Sequence, residues 1–139
     1  MIWHKKPETN NWQKRIEGTI VAHLGIELLE VTQDTLSARM PVDERTFQPM
    51  KILHGGASVV LAETLGSIAG SMAVNQEEFF VVGQSITSNH LRPVTHGWVT
   101  GMAHAKHIGK RSQIWDIEIW NEEKKLVNTS RLTLAVIRK

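Results

Sequence analysis

Glu63 is the only ionisable residue between Gly55 and Gln76, in a run that also holds Val59, Val60, Leu61, Ala62, Leu65, Ile68 and Ala69. A carboxylate among apolar residues is costly to desolvate, so it has either a partner or a task. Two readings fit. Glu63 is a solvated or structurally paired residue, with Arg131 or Arg92 as counter-ion, or it is a general base or nucleophile in a pocket. A second signal lies just upstream, in Gln48-Pro49-Met50-Lys51-Ile52-Leu53-His54-Gly55-Gly56. Glycines that open a helix leave backbone N–H groups facing outward, and a helix N-terminus carries partial positive charge suited to an anion or a developing oxyanion. On that reading Gly55 and Gly56 donate, with His54 as a further donor. On the plainer one, Gly-Gly is a tight turn and His54 packs. The His-Gly-Gly run nine residues ahead of a solitary Glu is far more specific than either feature alone.

The third signal is a charge distribution. From Gly83 to Gln113 there is no Asp or Glu, while Arg92, Lys106, Lys110, Arg111, His90, His96, His104 and His107 fall in the same window. A polyanion-binding surface explains it, as does a sheet edge guarded by lysines. Gly109-Lys110-Arg111 reads as a turn that could hold a phosphate through backbone and side chains, although the spacing of a P-loop is missing. The chain has no cysteine, and its histidines lack a ligand spacing such as HExxH, so no metal is expected.

These residues need elements to hold them. Thr9 to Gly18 reads as a short helix capped by Thr9 or Asn10 and stopped by Gly18, within an N-terminal lead-in over 1–20. From His23 the pattern turns to strand, with Leu24 to Val31 and Leu36 to Val42 forming a hairpin about Gln33-Asp34. Asp43 to His54 is a loop. Gly55 opens the one long helix, in which Leu61, Leu65, Ile68 and Met72 share a face and Asn75-Gln76 is the stop. Gly66, Ser67 and Gly70 lie on the Glu63 side, where small residues let a substrate or another subunit come close. Strands follow over Phe79–Thr87, Gly97–Ile108, Ser112–Trp120 and Leu126–Ile137. In the third, Trp115, Ile117 and Ile119 share one face, and in the last Asn128, Ser130, Leu132 and Leu134 do. One helix among hairpins favours α+β with an antiparallel sheet over parallel winding.

The whole has 139 residues, 41% hydrophobic and 22% charged, with a net charge of +2. That suits a single globular domain over 1–139 and is too little charge to imply nucleic acid. Core packing is the default account of five Trp without a Tyr. The apolar stretch 57–74 is interrupted by Glu63, serines and glycines, so a buried helix suits it better than a membrane span. With no apolar run behind the basic N-terminus, a cytoplasmic protein is expected.

The sequence resembles the hot-dog fold acyl-CoA thioesterases, in the aryl- and acyl-CoA subfamily. The resemblance is carried by Met40-Pro-Val-Asp43, Arg45-Thr46, Gln48-Pro49, the block Leu53 to Ser67, Val81-Val-Gly83, Asn89-His-Leu-Arg-Pro93 and Gly109 to Trp115. It implies a long central helix wrapped by an antiparallel sheet of five to six strands. It also implies a homodimer with a continuous sheet, commonly paired into a homotetramer. The active site would lie between subunits, with Gln48, His54 and Gly55 from one and Glu63 from the other. Gly55 N–H would polarise the thioester carbonyl, Gln48 and His54 would orient it, Glu63 would act as base or nucleophile, and Ser67 would hold the water. His90, Arg92, Val82, Gly83, His107, Gly109, Lys110 and Arg111 would bind coenzyme A, which is part of the substrate, so no separate cofactor is implied. Members close to this pattern usually carry Phe-Gly where this chain has Met50-Lys51, which bears on the acyl pocket. Two other functions fit the same fold: an (R)-specific hydratase or dehydratase, and a non-catalytic acyl-CoA-binding module.

Overall fold

A computed structural model describes residues 1–139. The chain runs through α1 (Trp12–Ile16), α2 (Ile20–His23), β1 (Glu27–Val31), β2 (Thr35–Pro41), α3 (Gly55–Met72), β3 (Phe79–His90), β4 (Trp98–Ile108), β5 (Ser112–Trp120) and β6 (Leu126–Arg138). The strands form one sheet in the order β1-β2-β4-β5-β6-β3, with every neighbouring pair antiparallel. The α+β expectation and its upper strand count hold. β3 leaves the end of α3 and takes the far edge beside β6, so one long side of a twelve-residue strand has no partner.

α3 lies across the sheet. Leu61, Ala62, Leu65 and Ala69 are fully buried against Val99 and Ala103 of β4, Trp115, Ile117 and Ile119 of β5, and Leu132 and Leu134 of β6. The approach is close because α3 drops its side chains where the sheet is bulky. A Cβ at Gly66 would meet Leu132 Cδ2 at 2.6 Å, and one at Gly70 would strike Leu134 Cδ1. The small face formed by these two glycines therefore belongs to the sheet, not to a substrate or a second subunit. Ser67, beside it, remains half-buried.

The lead-in differs from its expected form. Gly18 stops the first helix as expected, at φ 72°, a left-handed conformation open to glycine, but a second short helix follows it. The first starts at Trp12 after Asn11, whose side chain makes no capping bond. The second runs to His23, so β1 begins only at Glu27. α3 stops at Met72, with Ala73 as C-cap, slightly ahead of Asn75. The extreme N-terminus is tied into the core. Trp3 is 4% exposed and stacks on Trp115 with ring centroids 6.1 Å apart, and its indole N–H donates to Thr32 O at 2.7 Å. No helix is long and apolar enough to cross a membrane.

Candidate active site

The loop before α3 is pinned at its foot. Thr46 is 2% exposed and donates its hydroxyl to Pro41 O at 2.7 Å, while His54 N–H donates to Thr46 O at 2.8 Å. The Arg45 guanidinium grips the Asp43 carboxylate at 2.6 Å and holds it below the usual carboxylate range. A bridge between Phe47 and Leu53 closes the tip. Within it Lys51 N–H donates to Gln48 O at 2.9 Å, and Gln48 Oε1 accepts from Met50 N–H. The Gln48 amide oxygen is thereby used inside its own turn, which leaves its NH₂ as the group offered outward. Lys51 takes φ 62°, where a side chain is strained.

His54 is the N-cap of α3. Its carbonyl accepts from Ala57 N–H at 3.0 Å, and its Nδ1 accepts from Gly56 N–H at 2.7 Å. Of the two glycine amides expected to face a ligand, Gly56 is therefore taken. The Gly55 N–H has no acceptor within the protomer. Because Nδ1 accepts, the neutral His54 ring carries its proton on Nε2 and is an outward donor. A Cβ on Gly55 would lie 2.6 Å from His90 Nε2, so the glycine makes room for that imidazole at the helix start.

Glu63 is half-buried and forms no ion pair in the protomer. Arg131, its sequence-level candidate partner, instead holds Asp116 through Nε–Oδ1 at 2.6 Å and Nη2–Oδ2 at 2.9 Å. That contact keeps the Asp116 carboxyl below its ordinary value. The Glu63 carboxylate rests on β3, where a Cβ at Gly83 would come within 2.7 Å of Oε1. A bulge follows immediately between Gly83 and Ser85. Glu63 thus sits at the open edge of the sheet, and Ser67 stands one turn further along α3.

The expected residues fall into two groups. Gln48, His54, Gly55, His90 and Arg92 gather at the start of α3 and the end of β3. Glu63, Ser67, Val82 and Gly83 lie further along both elements. The end of β4 with His107 and the β4–β5 turn with Gly109, Lys110 and Arg111 belong with the second group, since Ser112 and Val82 flank Ala135 on either side. Val82 and His90 are eight residues apart on one strand, about 26 Å at strand rise. Gly55 and Glu63 are eight residues apart on one helix, about 12 Å along its axis. One thioester carbonyl cannot touch both within a protomer.

A polar cluster beneath His90 was not among the expected site residues. Asn128, 1% exposed, directs Nδ2 to His90 Nδ1 at 3.1 Å and to Ser88 Oγ at 2.8 Å, while its Oδ1 accepts from Ser130 Oγ at 2.7 Å. The signal in the sequence is that the inward face of β6, apolar at Leu132 and Leu134, turns polar at Ser130 and Asn128. No three His, Asp or Glu side chains converge as a metal cluster would. A separate cleft of about 680 Å³ opens between the N-terminal segment (Trp12, Arg15) and α3 (Ile68, Ser71, Met72).

Comparison with known proteins agrees with this architecture. A family model described as Thioesterase superfamily matches residues 50–128. The 1,4-dihydroxy-2-naphthoyl-CoA hydrolase of Escherichia coli is 45% identical over 137 residues, spanning 99% of this chain and 100% of its own. The proofreading thioesterase EntH of Cronobacter turicensis is 44% identical over 137 residues, 99% of either chain. The crystal structure of a thioesterase from Haemophilus influenzae superposes with a TM-score of 0.95 at 48% identity, covering 99% of this chain and 96% of that one. On the block from the capped helix start to Glu63, the six-stranded antiparallel sheet and these relatives, the chain belongs to the thioesterase superfamily of hot-dog enzymes and is a thioester hydrolase.

Proposed function

We propose that the protein hydrolyses acyl- or aryl-CoA thioesters at a site shared by two protomers of a homodimer, itself paired into a homotetramer in the cytoplasm. The observation that carries this reading is the separation of Gly55 from Glu63 on one helix, with Glu63 at an unpaired strand edge. A long, partly apolar edge, with Phe80 42% and Val82 40% exposed, invites a strand from another chain. Antiparallel pairing of β3 with its symmetry mate lays the His90 end of one strand beside the Val82 end of the other. The Gly55 group of one protomer then faces the Glu63 group of its partner.

In that site Gly55 N–H stabilises the oxyanion, with the Gln48 NH₂ and His54 orienting the carbonyl. As a base, Glu63 takes a proton from water held by Ser67. The water oxygen bonds to the carbonyl carbon, collapse breaks the C–S bond, and the proton passes to the coenzyme A thiolate. As a nucleophile, Glu63 bonds to the carbon itself and expels the thiolate, and water then opens the anhydride. Arg92, Lys110 and Arg111 supply charge for the coenzyme A phosphates, with His90, Val82, Gly83, His107 and Gly109 along the approach. No cofactor or metal enters either route. The acyl class follows the 1,4-dihydroxy-2-naphthoyl-CoA hydrolase among the relatives, with aryl groups first and medium-chain acyl groups second.

The test is complementation. Glu63→Gln and His54→Ala are each expected to lose activity, by about 10²-fold or more for Glu63. Co-refolded in equal amounts, they should regain about a quarter of wild-type turnover, because half of the dimers carry one intact site. Inactive mixtures would sink the shared site, and an active Glu63→Gln would remove Glu63 from the chemistry.

A further inference from the structure

We infer that Asn128 is a positioning residue: it holds the His90 imidazole with its Nε2–H beside the Gly55 amide, so that the substrate carbonyl meets two donors at the start of α3. This rests on the proposed hydrolysis site but moves His90 from the coenzyme A approach to the carbonyl, a part of the site that lies outside the loop and helix motif.

His90 and Asn128 face each other across the β3–β6 ladder, as do Ser88 and Ser130. All four side chains share the face of the sheet that carries Leu132 and Leu134 against α3. Asn128 is 1% exposed and Ser130 is 6% exposed. A buried amide has one acceptor and two N–H donors to satisfy. Here the Oδ1 accepts from the Ser130 hydroxyl, one N–H goes to Ser88 Oγ and the other to His90 Nδ1. Ser130 Oγ and Ser88 Oγ lie 2.9 Å apart and close the ring. In this orientation the amide oxygen lies on the Ser130 hydroxyl and the NH₂ faces His90 and Ser88. That in turn makes His90 Nδ1 an acceptor, and a neutral imidazole that accepts at Nδ1 donates at Nε2. Nε2 is the ring atom nearest the Gly55 position, 2.6 Å from where a Cβ would be.

The fold does not require this cluster. Replacing both members of a buried hydrogen bond by apolar groups of the same shape is close to neutral, and the next two inward residues of β6 are leucines. Its position beneath the one helix-start amide without an internal acceptor supplies the missing reason. Asn128 does not touch the reacting atoms. It sets the tautomer and tilt of the residue that does, as outer residues do for histidines at metal sites.

The first readout is the wild-type protein by ¹⁵N NMR of the neutral His90 ring, where the proton is expected on Nε2. A proton on Nδ1 overturns the inference without any variant. The second is Asn128→Asp, equal in shape but able only to accept, which should move the proton to Nδ1. Its kcat should fall by about 10-fold or more, approaching the roughly 10²-fold loss of His90→Ala, while KM for the CoA ester stays near wild type. The double variant His90→Ala/Asn128→Asp should be no slower than His90→Ala alone, since Asn128 acts through His90. Additive losses, or a rise in KM with kcat intact, overturn the inference. Glu63→Gln is run in parallel. If it is inactive while Asn128→Asp turns over normally, only the role of Asn128 fails. If Glu63→Gln is itself active, the site reading fails.

Discussion

Gly83→Ala separates the proposed catalytic position of Glu63 from the stability of the fold. The added methyl would lie 2.7 Å from Glu63 Oε1. A carbon and an oxygen sit in contact at about 3.3 Å, so the carboxylate must retreat by about 0.6 Å. The atom in the way is the far end of a flexible side chain, and Gly83 does not use a positive φ. The backbone therefore accepts alanine, and the loss of unfolded-state freedom stabilises the strand by roughly 0.5–1 kcal/mol. Catalysis responds differently. A displacement near 1 Å costs up to about 10²-fold, so kcat should fall by roughly 10- to 10²-fold. The assay is thiol release from a CoA ester with a chromogenic thiol reagent, paired with a thermal melt. A Tm unchanged or raised together with a low kcat is expected. Full kcat in a stable protein would show that the carboxylate does not work from its seat on β3. A clear fall in Tm would show that backbone, not side chain, absorbs the clash.

Lys51→Gly should stabilise the chain by about 0.5–1 kcal/mol in urea unfolding, because Lys51 holds φ 62° without glycine's freedom; no gain would mean that the Lys side chain supplies a compensating contact. Gln113→Ala should cost about 2–4 kcal/mol by the same measurement, since Gln113 is fully buried and ties Trp115 Nε1–H at 2.8 Å to Gly70 O at 3.3 Å. Arg111→Ala should raise KM for CoA esters and flatten its dependence on salt, and an unchanged KM would remove Arg111 from phosphate binding. The Asp116 carboxyl is held below its ordinary 3.8 by Arg131. The contribution of this pair is therefore complete above that value and fades as pH falls through the lower folded-state value. Arg131→Met should thus be less stable than wild type at neutral pH and converge with it in acid as Asp116 becomes protonated, whereas a gap that persists once it is protonated would locate its loss in packing.

The local signals in the chain were sufficient for its long elements. The long helix, the hairpin turn at Gln33-Asp34 and the alternation of Trp115, Ile117 and Ile119 all depend on periods of a few residues, and the structure keeps them. His-Gly-Gly and Glu63 were legible for the same reason, since both sit on one helix at a fixed spacing. The second short helix, Ile20–His23, was not, because four residues are too few to show a helical period.

Short-range pattern does not say what a face meets. Gly66 and Gly70 read as room for a substrate, yet they seat α3 on Leu132 and Leu134, since a missing side chain suits any close neighbour and only the sheet shows which one arrives. Strand order is likewise a long-range outcome. It puts β3 at an open edge, sets Asn128 beside His90 across 38 residues of chain, and divides the expected site residues between two ends of one strand. The sequence by itself determined which polar groups stand on the long helix and the loop before it. Tertiary structure decided how far apart they stand, because helix rise and strand pairing convert a spacing in residues into distances that one protomer cannot close.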